Sequence, residues 1–217
     1  MKKSTLTLAL AALAIGLAGC GTPSGYQQAD MTGESINKLR NIVTGIKTSV
    51  DDCQKAMDGL AAAASTDPRP AYETFAKSVD KVNAAAENAK KQAEDMRTRG
   101  QAYFQQWEKE LAAVQSEDIR KRALERKAKL QETFDSIKEV AQAAKTSFEP
   151  YSSDLKDLKT ALGLDLTVQG IDAVKKQFKK TKAEGMEVQK NLDALIAELN
   201  TVVAAITANK PPPPPAK

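Results

Sequence analysis

The stretch Ile36-Asn37-Lys38-Leu39-Arg40-Asn41-Ile42-Val43-Thr44-Gly45-Ile46-Lys47-Thr48-Ser49-Val50-Asp51-Asp52-Cys53-Gln54-Lys55-Ala56-Met57-Asp58-Gly59-Leu60 decides the fold. Ile36, Leu39, Val43, Ile46, Val50, Cys53, Met57 and Leu60 alternate three and four residues apart, which is the a/d seam of a helix packed along its length. The spacing predicts helix A over about 34–64. Ser65-Thr66-Asp67-Pro68-Arg69-Pro70 then stops the pattern, because two prolines cannot continue a helix and each restricts the residue before it.

Three more seams follow. Tyr72, Phe75, Val79, Val82, Ala86, Ala89, Ala93, Met96, Gly100, Tyr103, Trp107, Leu111 and Val114 predict helix B over about 71–114, roughly 66 Å long at 1.5 Å per residue. Ser116 before Glu117 and Asp118 is an N-cap with acids in the first turn, where the helix dipole favours them. Helix C is therefore expected over about 117–162, with Leu130, Phe134, Ile137, Ala141, Ala144, Phe148, Tyr151, Leu155, Leu158 and Leu162 on its seam. That register passes straight through Pro150, which predicts a kink rather than an end. Gly163 then reads as a C-cap, with Asp165 or Thr167 capping helix D over about 168–208. No strand is needed anywhere. Four long helices joined by short turns run antiparallel, so the expected fold is all-α, an elongated antiparallel helical bundle with coiled-coil heptads. The narrow a/d seam is also compatible with a homo-oligomer.

The N-terminus carries a different signal. Lys2 and Lys3 precede an apolar run from Leu6 to Leu17, and Ala18, Gly19 and Cys20 complete a bacterial lipoprotein processing site. The run is 12 residues, short of the roughly 20 that span a bilayer. Residues 1–19 are expected to be a signal peptide cut between Gly19 and Cys20, and Cys20 to carry the acyl chains that hold the protein on the membrane. Two or three long chains anchor far more firmly than one. Gly21 stands where an aspartate would retain such a protein at the inner membrane of an enteric-type cell. The expected place is the cell envelope, at the outer membrane facing the periplasm. Residues 20–33 read as the lipidated cysteine and a flexible linker, about 45 Å at full extension. Residues 209–217, with five consecutive prolines, read as a disordered tail with a stiff polyproline II stub.

Composition narrows the chemistry. The 217 residues hold 32 Lys and Arg against 28 Asp and Glu, and no His. Near-neutral balance argues against a nucleic-acid partner. Absence of histidine removes the commonest general base and transition-metal ligand together. There is no P-loop, no Gly-x-Ser-x-Gly elbow and no di-metal Glu-x-x-His pair. Asp51 and Asp52 point about 100° apart on a helix and form no dyad. No catalysis, metal or cofactor is expected. With Cys20 lipidated, Cys53 has no partner within the chain, and its seam position reads as a small buried hydrophobe. Trp107 on its seam reads as a core anchor.

Two features invite a binding role. Folding helix B onto C about residues 115 and 116 sets Gly100 near Leu130, Ala93 near Ile137, Ala89 near Ala141 and Ala86 near Ala144. Either the backbones close over this small-residue waist, with Ile46, Val50 and Val188 filling the layer, or it is a groove for an apolar helix, lipid tail or hydrophobic peptide. The second feature is charge. Arg120, Lys121, Arg122, Arg126, Lys127 and Lys129 lie near the B/C turn, and Lys175, Lys176, Lys179, Lys180 and Lys182 near the C/D turn. Both termini share the B/C end in this topology, so the first group faces the membrane and its anionic headgroups, each basic residue adding about 1 kcal/mol. The second group points outward, toward an acidic partner or cell-wall carboxylates. The competing reading pairs these cations with Glu117, Asp118, Glu125, Glu184 and Glu187 on solvated helix faces.

The run Phe104-Gln105-Gln106-Trp107-Glu108-Lys109-Glu110-Leu111, with Glu149-Pro150, Leu158-Lys159 and the Leu164 to Thr167 turn, resembles the bacterial envelope proteins grouped as domain of unknown function 2959. The similarity covers about 34–207. It implies a coiled-coil protein, often lipidated, without an established activity, so it carries no site residue over. Where the family has a Lys-His-Asn-Leu-Asn run, this chain reads Lys159-Thr160-Ala161-Leu162-Gly163. The function expected first is a membrane-anchored structural or interaction scaffold meeting an unidentified envelope protein or cell-wall partner. The alternative is a periplasmic binding or chaperone-like module for apolar peptides or lipids.

Overall fold

The computed structural model describes residues 23–207. The helices are α1 (Gly25–Ala63), α2 (Arg69–Ala112), α3 (Glu117–Leu164), α4 (Val168–Ala173) and α5 (Lys175–Thr207), with no strand among the described residues. The four long helices alternate in direction and form one bundle around a continuous core. Residues expected as signal peptide, lipidated cysteine and proline tail lie outside the described residues, apart from the part of the linker that follows Pro23.

That part of the linker is corrected. α1 begins at Gly25 rather than near 34, and it has 39 residues. The Ser24 N–H donates to Gln27 Oε1 at 2.8 Å, and the Gly25 N–H donates to Glu110 Oε1 at 2.6 Å, so two of the first free amides of the helix are satisfied. Thr32, fully buried, donates its hydroxyl to the Gln28 carbonyl at 2.7 Å and reaches the Arg99 carbonyl of α2. Helix A thus starts more than two turns early because polar contacts with α2 hold it.

α2 has 44 residues and starts behind Pro68, with Pro70 in its first turn where a missing amide costs nothing. α3, of 48 residues, is helical through Pro150. The proline leaves the Thr146 carbonyl without its i+4 amide, and the buried Tyr151, Ser152 and Leu155 that follow hold the helix to the core. Gly163 is not the cap expected of it. It lies inside α3, which runs on to Leu164, and a methyl group there would meet the Tyr72 hydroxyl. Of the two expected N-caps the structure selects Thr167, whose hydroxyl accepts from Gly170 N at 3.1 Å, while Asp165 accepts from Thr167 N at 2.9 Å. Helix D is two helices, not one. Val174, at φ −96° and ψ 0°, donates back to Ile171 and separates α4 from α5.

The core follows the seams. Ile36, Val50, Cys53, Leu60, Phe75, Val82, Tyr151, Leu155, Leu162, Val188, Leu199 and Val202 are at or near zero exposure. Burying each such side chain contributes about 1.5–3 kcal/mol against chain entropy. Antiparallel register is fixed by polar links between helices. Along α1/α5 they are Arg40 to Asn200 at 3.1 Å, Lys47 to Asp193 at 2.5 Å, Gln189 to Asp51 at 2.8 Å and Lys182 to Asp58 at 2.6 Å. On α3/α5, Ser136 bonds Glu198, and Lys180 reaches Asp154 at 2.7 Å. Between α1 and α2, Ser35 Oγ donates to Asp95 at 2.8 Å and accepts from the buried Gln92 at 3.0 Å. Among the four long helices, α2 and α3 are the loosest neighbouring pair.

Candidate functional site

Alanine is too short to meet another alanine across two helices unless the backbones close, and between α2 and α3 they do not. Ala86, Ala89 and Ala93 on α2 face Ala141 and Ala144 on α3 across an open slot of about 1310 Å³. Ligand pockets usually hold roughly 300–1,000 Å³, so this space is large for a body of this size. Leu39, Val43 and Ile46 of α1 and Leu192 and Leu195 of α5 form its floor. Met96, Ile137, Phe104, Phe134 and Phe148 complete an apolar lining.

The slot is tied at its ends. Toward the α2/α3 turn, Lys127 of α3 donates to Glu108 of α2 at 2.5 Å. Two turns further along α3, the Phe134 ring packs edge-on against Phe104 at 5.8 Å, and it fills the place that a side chain at Gly100 would take. Toward the other end, Ser152 donates to Asn83 Oδ1 at 2.6 Å, Lys159 pairs with Asp80 at 2.6 Å, and Tyr72 donates to the Lys159 carbonyl at 3.0 Å. Among the described residues, no hydrogen bond or ion pair joins α2 to α3 between these ties. The register also differs from the fold-over expected about residues 115 and 116. Gly100 stands against Phe134 rather than Leu130, one helical turn on, which brings Ala89 and Ala93 past the levels assigned to them. The space left between α2 and α3 fits the groove reading of the waist, while the burial of Ile46, Val50 and Val188 beneath it is what the filled-layer reading expected.

Both lips alternate in charge. On α2 they are Glu87, Lys90, Glu94 and Arg97, and each cation is tied within its own helix: Lys90 to Glu87 at 2.6 Å and Arg97 to Glu94 at 2.5 Å. The arginine beside Glu94 and the lysine beside Glu87 hold both carboxyls below their usual range. On α3, Lys145 lies 3.8 Å from Glu149, Asp135 also lines the slot, and among the described residues Lys138 makes no ion pair. Gln101 and Gln131 edge the slot near Phe134.

The two basic groups fare differently. Arg120, Lys121, Arg122, Arg126, Lys127 and Lys129 surround the first turns of α3, and all but Lys127 are exposed. Arg120 spends its guanidinium on the Val114 carbonyl at 2.9 Å, and Arg122 pairs with Asp118 at 3.3 Å. Ile119 and Leu124 stand among them at 58% and 48% exposure, an apolar contribution that the sequence reading did not single out. The Gly25–Glu110 bond brings the described N-terminus to this end. At the C/D end, Lys175 pairs with Asp172, Lys180 with Asp154 and Glu184, and Lys182 with Asp58. Lys176 and Lys179 are exposed. Cys20 and Gly19 lie outside the described residues.

Cys53 is fully buried and burial pushes its thiol up. The Tyr151 hydroxyl lies against it, and among the described residues the Thr181 hydroxyl and one Glu184 oxygen are buried without a hydrogen-bond partner. Burial, with the Asp154 carboxyl beside it, raises Glu184 against the opposing pull of Lys180. Trp107 is half-buried, edge-on to Tyr103 at 5.6 Å, and burial pushes Tyr103 up to about 12. Asp51 and Asp52 diverge, one to Gln189 and the other to Lys81. None of the described helices is long and apolar enough to cross a membrane.

These features define a class: an all-α antiparallel bundle whose one loose interface opens as an apolar slot. The chain belongs to the family described as Protein of unknown function (DUF2959), whose model matches residues 23–206. No curated protein and no solved structure matches it.

Proposed function

We propose that this chain is a lipid-anchored envelope protein without catalytic activity, held to the membrane by acyl chains on Cys20, whose helical body binds an apolar chain in the α2/α3 slot. The single observation behind the binding role is the slot itself, tied at both ends and unlinked between them, with a floor that reaches the bundle core. A scaffold requires only its outer surface, so it gives no reason for this opening. A concave apolar opening in a bundle with an otherwise filled core is the usual form of a binding groove.

Orientation is part of the same reading. The basic collar around Arg120 to Lys129, with Ile119 and Leu124, lies at the end where the N-terminus leaves the bundle, and it suits anionic headgroups. The lysines of the C/D end then point away from the membrane, toward an envelope protein or cell-wall carboxylates. Export to the outer membrane, facing the periplasm, rests on the Leu17 to Gly21 stretch.

An environment-sensitive apolar dye titrated into the unlipidated protein tests the binding role. Saturable one-to-one fluorescence, lost in Ala89→Phe combined with Ala141→Phe, is the expected result. Unchanged fluorescence in that variant, with its helical melting intact, would place the dye elsewhere and sink the slot reading. Radiolabelled fatty acid fed to cells should mark the wild type and not Cys20→Ala. For orientation, the unlipidated protein should sediment with anionic vesicles more than with neutral ones, and Arg120→Glu with Lys121→Glu should remove the difference.

A further inference from the structure

Resting on the acyl anchor at Cys20, we propose that the bundle stands upright on the bilayer, with Tyr26, Ile119 and Leu124 seated among the headgroups as an apolar foot.

The tether carries the argument. Because α1 starts at Gly25, the chain between the acylated cysteine and the helical body is Gly21-Thr22-Pro23-Ser24 alone. Five residue steps reach about 18 Å at full extension, well short of the standoff expected from a linker over 20–33. Gly25 is itself fixed, since its N–H donates to Glu110 in the last turn of α2. The pairing of Lys127 with Glu108 sets Leu124 near the level of Glu110, and so of Gly25. From that level α3 extends seven residues further toward the bilayer, back to its start at Glu117, about 10 Å at 1.5 Å per residue. In an upright bundle the tip of α3 therefore stays within about 8 Å of the headgroups even with the tether taut, about one Debye length at physiological salt. Contact range is built into the anchor.

The surface at that end differs from the flanks. Seven large apolar side chains are exposed among the described residues. Tyr26, Ile119 and Leu124 ring the anchored end with Met31 one to two turns above, Leu164 and Val168 lie at the far end, and Met186 alone stands on a flank. A bundle lying flat would press paired charges such as Lys47–Asp193 and Lys182–Asp58 against the bilayer and bury little apolar surface. The slot also opens on a flank, but its apolar lining is recessed behind the charged lips of α2 and α3. Standing, the bundle buries the ring, and tyrosine suits the headgroup level because its ring is apolar and its hydroxyl stays wet. Charge adds less. Residues 117–130 carry six cations against Glu117, Asp118 and Glu125, and Lys109 stands between Glu108 and Glu110 on α2, so the excess is small. It admits an anionic surface, while the tether and the apolar ring hold the foot in place. Upright, the 48 residues of α3 carry the α3/α4 turn about 70 Å above the foot.

Brominated lipid reports which surface touches the bilayer. The full chain is purified from membranes and reconstituted in vesicles of brominated phosphatidylcholine and phosphatidylglycerol. Trp107→Phe is the background, and one tryptophan is placed by Ile119→Trp, Gln142→Trp, Leu164→Trp or Met186→Trp, each variant first checked for unchanged helical melting. Ile119→Trp should lose emission to the bromine and shift to the blue, and the other three should keep theirs. Quenching of another position as strong as that of Ile119→Trp means that the bundle lies on a flank or on its far end, and overturns the upright stance. No quenching at any position, in protein that floats with the vesicles, overturns the foot while the anchor stands. A purified chain whose mass shows no acyl group removes the anchor reading, and the foot with it.

Discussion

The α1/α5 and α2/α3 interfaces are built from the same heptad pattern and end differently. α1 and α5 are linked by a polar contact about every one to two turns, from Arg40–Asn200 to Asp58–Lys182, and Val50, Leu60, Val188 and Leu199 interdigitate beneath. α2 and α3 are linked only near their ends, with alanines between. What separates the two is side-chain volume. A seam of alternating large residues draws helices together over its whole length, whereas a run of alanines on both partners leaves them as far apart as their ends dictate.

The comparison is broken most directly by volume. Leu155→Ala, in the filled half at zero exposure, should cost about 2–5 kcal/mol in urea unfolding. Ala89→Leu, in the slot, should change stability by less than about 1 kcal/mol, because the added methylenes enter open space rather than a packed core. Equal penalties would mean the slot is as filled as the rest. Next come the glycines. Gly185→Leu drives a side chain into Gln54 and Tyr151 and should cost about 1–3 kcal/mol, measured the same way. Gly100→Leu meets only the end of the Phe134 ring, which has the slot to turn into, so its penalty should be the smaller of the two.

Polar substitutions should do less. Lys47→Met removes a partly exposed pair with Asp193 and should lower stability by about 0.2–1 kcal/mol, an effect that shrinks in salt. The smallest effect expected is in pH dependence. Glu184 is an acid whose folded-state pKa is raised above its ordinary 4.5 by burial and by Asp154. Such a group takes up a proton on folding, so it adds stability as pH falls through its folded value, in full below its unfolded one. Glu184→Gln should remove that rise, and its unfolding midpoint against pH should diverge from the wild type above about pH 4.3. Coincident curves would contradict the burial of this carboxyl.

The large apolar residues made the bundle readable. Periodicity alone placed the seams of all four long helices, because Ile, Leu, Val and Phe at heptad spacing have no other way to leave water. It failed where polar groups hold structure. Thr32 and Gly33 look like a linker, yet Thr32 bonds the Arg99 carbonyl and Ser35, just inside the expected helix, joins Gln92 and Asp95, so α1 continues to Gly25. Long-range hydrogen bonds of this kind have no sequence period. The break at Val174 was hidden for the opposite reason, since Ile171, Val174 and Phe178 keep helical spacing across it. At the slot, the alanine pairing was legible, but register and opening were not. Both depend on where Phe134 and Ser152 find partners, which a symmetric fold-over about one turn cannot specify.

Cys53 has a use that its inertness makes possible. It is a natural stopwatch: with Cys20 replaced, one thiol remains, and it sits in the filled half at zero exposure. A thiol reagent can reach it only when that half opens, so the alkylation rate counts openings of the core. Occupancy of the slot need not slow that count, and whether it does measures how far the two halves of the bundle behave as a single cooperative unit.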